Sequence, residues 1–186
     1  MKGAVFTEFI EYVEETLSLE TAERMIEQAN LPAGRAYTAV GTYDHGELLQ
    51  MIAQLSALTA LPVPALVTAF GRHLFGRLVF NYPMVKEGVG SAFDFLMRVD
   101  GYVHVEVRKL YPDAELPVFQ TTRVSENELE LIYHSSRPFA DLAEGLILGC
   151  GDCYEEPLGV ERSPVGTSGA VRFRITCPAC VPACSI

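Results

Sequence analysis

Positive charge is scarce in this sequence. Its 186 residues include 14 lysines and arginines against 24 aspartates and glutamates, which gives a formal net charge of −10. Such a chain repels a phosphate backbone, so the composition argues against a DNA- or RNA-binding protein. Hydrophobic residues make up 49% and charged residues 20% of the chain, as expected for an ordinary globular protein rather than a disordered one.

Long apolar runs are also lacking. No window approaches the ~18 uncharged apolar residues that a membrane-spanning helix needs, so we expect no membrane span. The stretch 1–18 contains four glutamates, whereas a signal peptide needs a basic start and an unbroken apolar core. We therefore expect a cytoplasmic protein. Its cysteines would then be reduced and better suited to metal binding than to a disulfide framework.

The first part of the chain is predicted to be helical. Apolar residues recur at three- and four-residue steps from the N-terminus to about residue 111. Asp44, Pro64 and Ser91 are typical first residues of three of these helices. Gly101 is predicted to interrupt the chain before a last helix, Tyr102 to Tyr111.

After residue 111 the pattern changes to strands. Alternating apolar residues predict strands over Val118 to Arg123 and Glu128 to His134, and a helix then runs from Pro138 to about Cys150. Two further strands are predicted, roughly over residues 154–162 and 170–176. There are no internal repeats and no interdomain linker. We therefore predict one α+β domain over 1–186, with a helical part (1–111) and a part (112–186) in which one helix crosses a four-stranded antiparallel sheet.

A possible ligand site lies at the end of the second predicted strand. In an alternating backbone Tyr133, Ser135 and Arg137 point to one face and offer two hydroxyls and a permanently charged guanidinium. This trio is suited to binding a pair of carboxylates, because arginine–carboxylate bonds are charge-assisted and can be bidentate. His104 could supply a metal ligand. Haem has two carboxylates and a central iron and matches this set.

In these residues the sequence resembles the haem nitric oxide/oxygen-binding (H-NOX) family, in its bacterial stand-alone form. The resemblance covers nearly the whole chain and is carried by Met1-Lys2-Gly3, His104-x-x-x-x-Lys109-Leu110, Pro117, Tyr133-x-Ser135-x-Arg137 and Gly145-Leu146-Ile147. It implies one H-NOX domain with haem b between the helical and sheet-containing parts. It also implies that His104 ligates the iron, that Tyr133, Ser135 and Arg137 hold the propionates and that Pro117 presses against the ring.

The resemblance also indicates which residues face the gas ligand. Relatives that hold oxygen stably are expected to carry a tyrosine at the position where this chain has Leu142. The predicted distal pocket is apolar and consists of Val5, Phe9, Leu74, Leu78 and Leu142. Tyr43, Tyr82 and Tyr154 could reach it in principle. Because an apolar pocket cannot stabilise the charge on bound oxygen, we expect NO and CO to be the ligands. His45, His73 and His134 are expected to be ordinary histidines, with His134 facing away from the signature residues.

The cysteines suggest a second site by their spacing alone. Cys150-x-x-Cys153 and Cys177-x-x-Cys180 resemble a four-thiolate zinc pattern, with Cys184 as an alternative to Cys180. The second pair follows a strand expected to return antiparallel to the strand after the first pair, so the four sulfurs would converge. Buried reduced thiols or disulfides formed in air remain alternatives to a structural zinc.

The leading functional hypothesis is a haem-based NO sensor that is not itself an enzyme. By resemblance, NO weakens or breaks the bond between iron and His104, and the helices then shift relative to the sheet. The implied partner is a separate histidine kinase or cyclic-di-GMP enzyme. The main alternative is a thiol/zinc redox sensor that uses the C-terminal cysteines. A haem peroxidase is disfavoured because no distal acid–base pair is evident, and a haem-free binding module is disfavoured by the intact signature.

Overall fold

The computed structural model describes residues 1–34, 36–166 and 169–178. The chain divides into two compact units, Met1–Phe70 and the residues from Gly71 onward. The expectation that residues 1–186 act as one domain stays a prediction.

The first unit is helical, as predicted. It contains α1 (Gly3–Thr16), α2 (Leu19–Gln28), α3 (His45–Thr59) and the first part of α4 (Val63–Asn81). The Asp44 side chain accepts a hydrogen bond from the Gly46 amide at 2.9 Å, which confirms it as the N-cap of α3. The unit has its own core of fully buried side chains, among them Phe6, Phe9, Met25, Met51 and Leu55.

The second unit continues with short helices. A 3-10 helix (Pro83–Lys86) is followed by α5 (Ala92–Arg98), a π-helical turn (Val99–Val103) and α6 (His104–Leu110). Ser91 accepts a hydrogen bond from the Asp94 amide and caps α5, as predicted. Gly101 is not a break, because it lies inside the π-helical turn that joins α5 to α6.

A four-stranded antiparallel sheet completes the second unit. The strands are β1 (Val118–Arg123), β2 (Glu128–His134), β3 (Gly159–Val165) and β4 (Ala170–Thr176), in the order β1-β2-β4-β3. In β2 every second residue is buried, which places Leu129, Leu131 and Tyr133 on the core side of the sheet. These side chains share a core with Phe173 and Ile175 of β4 and with α5 and α7 (Ala140–Cys153). The predicted α+β class is confirmed.

Helix α7 and strand β3 differ from the sequence prediction in their boundaries. Helix α7 begins at Ala140 instead of Pro138 and continues to Cys153 instead of ending near Cys150. Strand β3 begins at Gly159 rather than Tyr154 and extends through Pro164, beyond the predicted end at residue 162. A proline is compatible with this position because β3 is an edge strand, where no second neighbour requires its missing amide.

Glycines allow α4 and α7 to approach closely within the second unit. A Cβ atom on Gly71 would lie 2.6 Å from the Leu142 carbonyl oxygen, and one on Gly149 would lie 2.4 Å from the Arg72 carbonyl oxygen. Arg72 and Asp152 add a two-point ion pair, with Nε–Oδ2 and Nη2–Oδ1 distances of 2.5 and 2.6 Å. The close contact therefore depends on the absence of side chains at both glycines.

In the described part of the chain, no single helix is both long and apolar enough to cross a membrane. Helices α3 and α4 meet that test of length and composition only when they are taken together as a bent pair.

Candidate functional site

His104 is the first residue of α6 and is almost fully buried, with 8% of its surface exposed. Its Nδ1 atom lies 3.2 Å from Oδ1 of Asp100, one turn earlier in the chain. Burial lowers the pKa of the imidazole, and the Asp100 carboxylate opposes this shift. A ring that is mainly neutral and bonded through Nδ1 leaves Nε2 as the nitrogen available to a metal.

The signature residues lie where β2 ends. Tyr133 belongs to the strand, whereas Ser135 and Arg137 follow in a bend that leads to α7. The alternation of side chains along a strand therefore does not extend to Ser135 and Arg137. The three signature side chains nevertheless lie close to one another. Burial raises the pKa of Tyr133, while a side-chain hydrogen bond with Ser135 and the positive charge of Arg137 act in the opposite direction. The Arg137 amide also donates to Oγ of Ser135 at 3.1 Å.

Arg137 already binds a carboxylate in this structure. Its Nη2 atom pairs with Oε2 of Glu115, and its Nη1 atom donates to the Glu115 backbone oxygen at 3.3 Å. The Arg137 side chain is 17% exposed and that of Glu115 is 73% exposed. The guanidinium is thus partly buried, and the carboxylate to which it donates is the more exposed member of the pair.

A cavity of about 340 Å³ opens beside this arginine. Besides the signature residues Ser135 and Arg137, it is lined by Glu115, Leu116, Val118, His134, Ser136 and Ala170. His134 therefore faces away from Tyr133, with which it alternates along β2, but not from Ser135 and Arg137, which line the same cavity. Pro117 is half-buried and lies just before β1, between two residues of this lining.

An aromatic side chain connects the two halves of the site. Phe119 of β1 lies with its ring centroid 5.5 Å from that of His104 and 5.6 Å from that of Tyr133. The backbone register explains the second distance, since Phe119 and Tyr133 are directly paired across β1 and β2. The structure thus places the predicted iron ligand and the first signature residue next to the same ring.

These residues fit the haem that the sequence suggested. Arg137 accepts a carboxylate, Tyr133 and Ser135 supply hydroxyl groups beside it, and His104 offers a buried nitrogen. Sequence reasoning missed Asp100, Glu115 and Phe119. The four-residue spacing from Asp100 to His104 was a usable signal, because residues four apart on a helix are neighbours.

The predicted distal residues are divided between the two units. Val5 is half-buried and Phe9 fully buried in the first unit, where the Phe9 ring packs edge-on against Phe70 at 5.0 Å. In the second unit Leu74 is 3% and Leu78 37% exposed. Leu142 is half-buried on α7. The joint distal pocket stays a prediction.

The cysteines form a separate group around the end of α7. Cys150 and Cys177 are fully buried in one core, and Cys153 packs against it. Cys177 directly follows β4, whose last residue pairs with the first residue of β3, so the predicted strand arrangement is present. Cys150 and Cys153 are free, whereas Cys177 is disulfide-bonded. Cys180 and Cys184 lie outside the described residues.

The surroundings of these thiols are mainly apolar. Burial strongly raises the pKa of Cys150, and its sulfur donates to the Ala92 carbonyl oxygen at 3.7 Å. Lys86 lies with its Nζ atom 3.4 Å from Sγ of Cys153 and 4.5 Å from the ring centroid of Tyr154. Within the described residues, no group of three or more histidine, cysteine or acidic side chains is arranged to hold a metal ion.

Comparisons with known proteins identify the family to which this chain belongs. The family model for haem-NO-binding proteins matches residues 2–162. A solution structure of H-NOX from Shewanella woodyi in the Fe(II)CO state is 39% identical, with a TM-score of 0.81, and the match covers 100% of this chain and 97% of that one. The Fe(II) unliganded H-NOX protein from K. algicida is 32% identical, with a TM-score of 0.87 and coverage of 95% and 96%.

A more distant structure supports the fold alone. The H-NOX protein from S. oneidensis in the Fe(II)NO state has a TM-score of 0.88 at 23% identity, with 95% of this chain and 99% of that chain covered. No curated protein matches the chain. The family model spans most of the sequence, and two relatives exceed 30% identity over nearly their full length. The chain therefore belongs to the haem-NO-binding (H-NOX) family, whose members are haem-based gas sensors.

Proposed function

We propose that this chain is a haem b-based sensor that prefers NO and CO to oxygen. His104 is the proposed iron ligand, Tyr133, Ser135 and Arg137 hold the propionates, and Pro117 lies against the macrocycle. In this proposal residues 1–186 work as a single H-NOX domain in the cytoplasm. The chain acts on a separate signalling protein and catalyses no reaction of its own.

One observation carries the assignment of the ligand. His104 is the one histidine in the described chain that is both buried and bonded to a carboxylate through Nδ1, which is the arrangement that orients a metal-binding imidazole. The position of both His104 and Tyr133 beside the Phe119 ring supports a shared ligand. The carboxylate on Arg137 supports the propionate role of that residue, since it occupies the guanidinium as a propionate would.

Bound haem would supply a ferrous iron, held by His104, that binds diatomic gases. The chain's own contribution is selectivity. Leu142, Leu74 and Phe9 carry no hydrogen-bond donor, so nothing in the proposed distal set stabilises the partial charge of bound oxygen. NO and CO depend less on such a donor.

The first experiment is the visible absorption spectrum of the purified, reduced protein before and after NO, CO and air are added. We expect a Soret band that shifts with NO and with CO and no stable complex in air. A stable oxygen complex would contradict the proposed distal pocket. If no haem is bound even after reconstitution, the sensor proposal fails and the cysteine group becomes the better candidate.

We further propose, from the resemblance, that the partner is a histidine kinase or a cyclic-di-GMP enzyme. A sensor of this kind works by changing the population of two conformations of the partner complex. The test is whether NO changes the activity of a co-purified candidate partner. The change should disappear when His104 is replaced by alanine.

A thiol/zinc redox sensor is the second candidate. It is favoured by the free thiols of Cys150 and Cys153, which share one core with Cys177, and by the ammonium group of Lys86 beside Cys153. With Cys180 or Cys184 these residues could hold a structural zinc. Because the Cys177 sulfur is in a disulfide, that zinc site requires the reduced protein.

The two candidates give different results with peroxide. A thiol sensor responds to hydrogen peroxide in the His104→Ala protein, since peroxide would convert two thiols to a disulfide and release two waters. A sensor that relies on haem alone shows no response to hydrogen peroxide in the His104→Ala protein. Zinc content of the reduced protein, measured by elemental analysis with Cys153→Ser as the matched variant, tests the metal directly.

A further inference from the structure

The turn that precedes His104 has a conformation that an ordinary helix lacks. Helix α5 ends at Arg98, and a π-helical turn over Val99–Val103 leads directly into His104. Such wide turns are rare and are often found at functional sites. The turn contains one acidic residue, Asp100, exactly one turn before the proposed iron ligand.

Asp100 contacts two different elements with one oxygen atom. Its Oδ1 atom lies 3.2 Å from Nδ1 of His104 and 3.5 Å from the backbone nitrogen of Phe119, which donates to it. His104 belongs to a helix and Phe119 to β1, so this carboxylate joins the proposed ligand to the sheet. The Asp100 side chain is 40% exposed, while that of His104 is 10% exposed.

The chemistry of this pair follows from the hydrogen bond. When a carboxylate accepts the Nδ1 proton, it fixes the tautomer in which Nε2 carries the lone pair, and it increases the electron density on the ring. A more basic imidazole forms a stronger bond to iron. Arg108 is the other charged group that acts on His104, and its positive charge opposes protonation of the ring, in the same direction as burial.

We propose that Asp100 is a positioning residue that sets the strength of the bond between His104 and the haem iron. It does so by polarising the imidazole through Nδ1 and by holding the ring against β1. This inference rests on the proposed role of His104. It adds that the response to NO depends on a carboxylate outside the haem signature, because a stronger bond to His104 is harder for NO to break.

The test is resonance Raman spectroscopy of the reduced, haem-loaded protein without gas ligand, where the iron–histidine stretching frequency is read directly. Asp100→Asn keeps the shape of the side chain but removes its charge. Asp100→Ala removes the contact altogether. We expect the stretch to shift to lower frequency in Asp100→Asn and further in Asp100→Ala. We also expect a haem loss rate about tenfold higher, as is typical when a residue that hydrogen-bonds to a metal ligand is removed.

Asp94→Asn is the matched control. Asp94 lies on α5, is half exposed and carries the same charge, but its ion-pair partner is Arg123, at 3.8 Å. The stretching frequency should not move in this variant. Asp100→Glu is the rescue variant, because it keeps the carboxylate and should return the frequency toward the original value.

Two results separate this proposal from the one on which it rests. In His104→Gly the iron–histidine band should vanish, and its persistence would show that another residue is the ligand, which overturns both proposals. If the band vanishes there but stays unchanged in both Asp100→Asn and Asp100→Ala, His104 remains the ligand and the role of Asp100 is refuted. A lower melting temperature without a frequency shift would likewise reduce Asp100 to a structural residue.

Discussion

The two groups of reactive side chains in the second unit differ in how their polar atoms are satisfied. Around His104 and Arg137 the polar groups have charged partners, namely Asp100 and Glu115. Around Cys150 the surroundings are apolar, and the pKa of Tyr154 is raised to about 12, mainly by burial. The Tyr154 hydroxyl has no hydrogen-bond partner among the residues that the structure describes.

This difference indicates what each group can do. An arginine that is already held against one carboxylate can exchange it for the carboxylate of a ligand, because the guanidinium itself does not have to move. A thiol held protonated in an apolar core must lose its proton before it can bind a metal. The His104 group therefore needs only the displacement of Glu115 from Arg137 to bind a ligand carboxylate, whereas the cysteine group requires a chemical change first.

The largest expected effect is that of His104→Gly. Removal of the imidazole leaves the iron without a protein ligand, so most of the haem absorbance should be lost after gel filtration, and imidazole added to the buffer should restore part of it. His45→Ala is the control, because His45 is partly exposed and pairs with its neighbour Asp44 at 3.3 Å. Equal haem content in the wild type and His104→Gly would refute the ligand assignment.

Arg137→Lys tests the proposed bond between the Arg137 guanidinium and a haem propionate. Lysine keeps the charge but not the planar fork, so about one charge-assisted hydrogen bond is lost, which is worth roughly 1.5–3 kcal/mol. Transfer of haem to apomyoglobin should therefore be at least about tenfold faster. Arg172→Lys is the control, since this exposed residue pairs with Glu130 on the sheet. An unchanged transfer rate would contradict the propionate role.

Gly149→Ala examines the packing beside the cysteines. The added methyl group would lie 2.4 Å from the Arg72 carbonyl oxygen and 2.7 Å from Cβ of Phe75. We expect the free energy of unfolding to fall by about 1–3 kcal/mol, measured by urea denaturation of the apoprotein.

Gly76→Ala is the matched control for that change. Gly76 is in α4, and a Cβ atom there would have no neighbour within 4 Å. It should stabilise the protein by up to about 1 kcal/mol, because alanine is the better helix former. If both substitutions change the free energy of unfolding in the same direction, the close approach of α4 and α7 is not the reason why position 149 requires glycine.

Glu115→Gln is expected to have the smallest effect. Glu115 competes with a propionate for Arg137, so its neutralisation should slow haem transfer, by up to about fivefold if the exposed pair is worth up to about 1 kcal/mol. The same change made in the Arg137→Lys protein is the control and should have less effect. Faster haem transfer in Glu115→Gln would mean that Glu115 orients the arginine instead of competing for it.

Local sequence features were sufficient to predict much of this protein. The cap at Asp44, strands β1, β2 and β4 and the α+β class follow from hydrogen-bonding side chains and from two-residue or helical periodicity. The association of His104 with the signature also came from the sequence, through the resemblance to a family. The cap and the periodic patterns depend on residues only a few positions apart, so they can be predicted from the order of the residues.

Contacts between distant residues were decided only by the tertiary structure. Glu115 meets Arg137 across 22 positions. The Phe119 ring lies beside Tyr133 because β1 pairs with β2, and it also contacts His104. The π-helical turn replaced the expected break at Gly101, since tertiary packing can override a weak local preference. Sequence order specifies which groups are present, but the chain has to fold before a carboxylate and a guanidinium so far apart can meet.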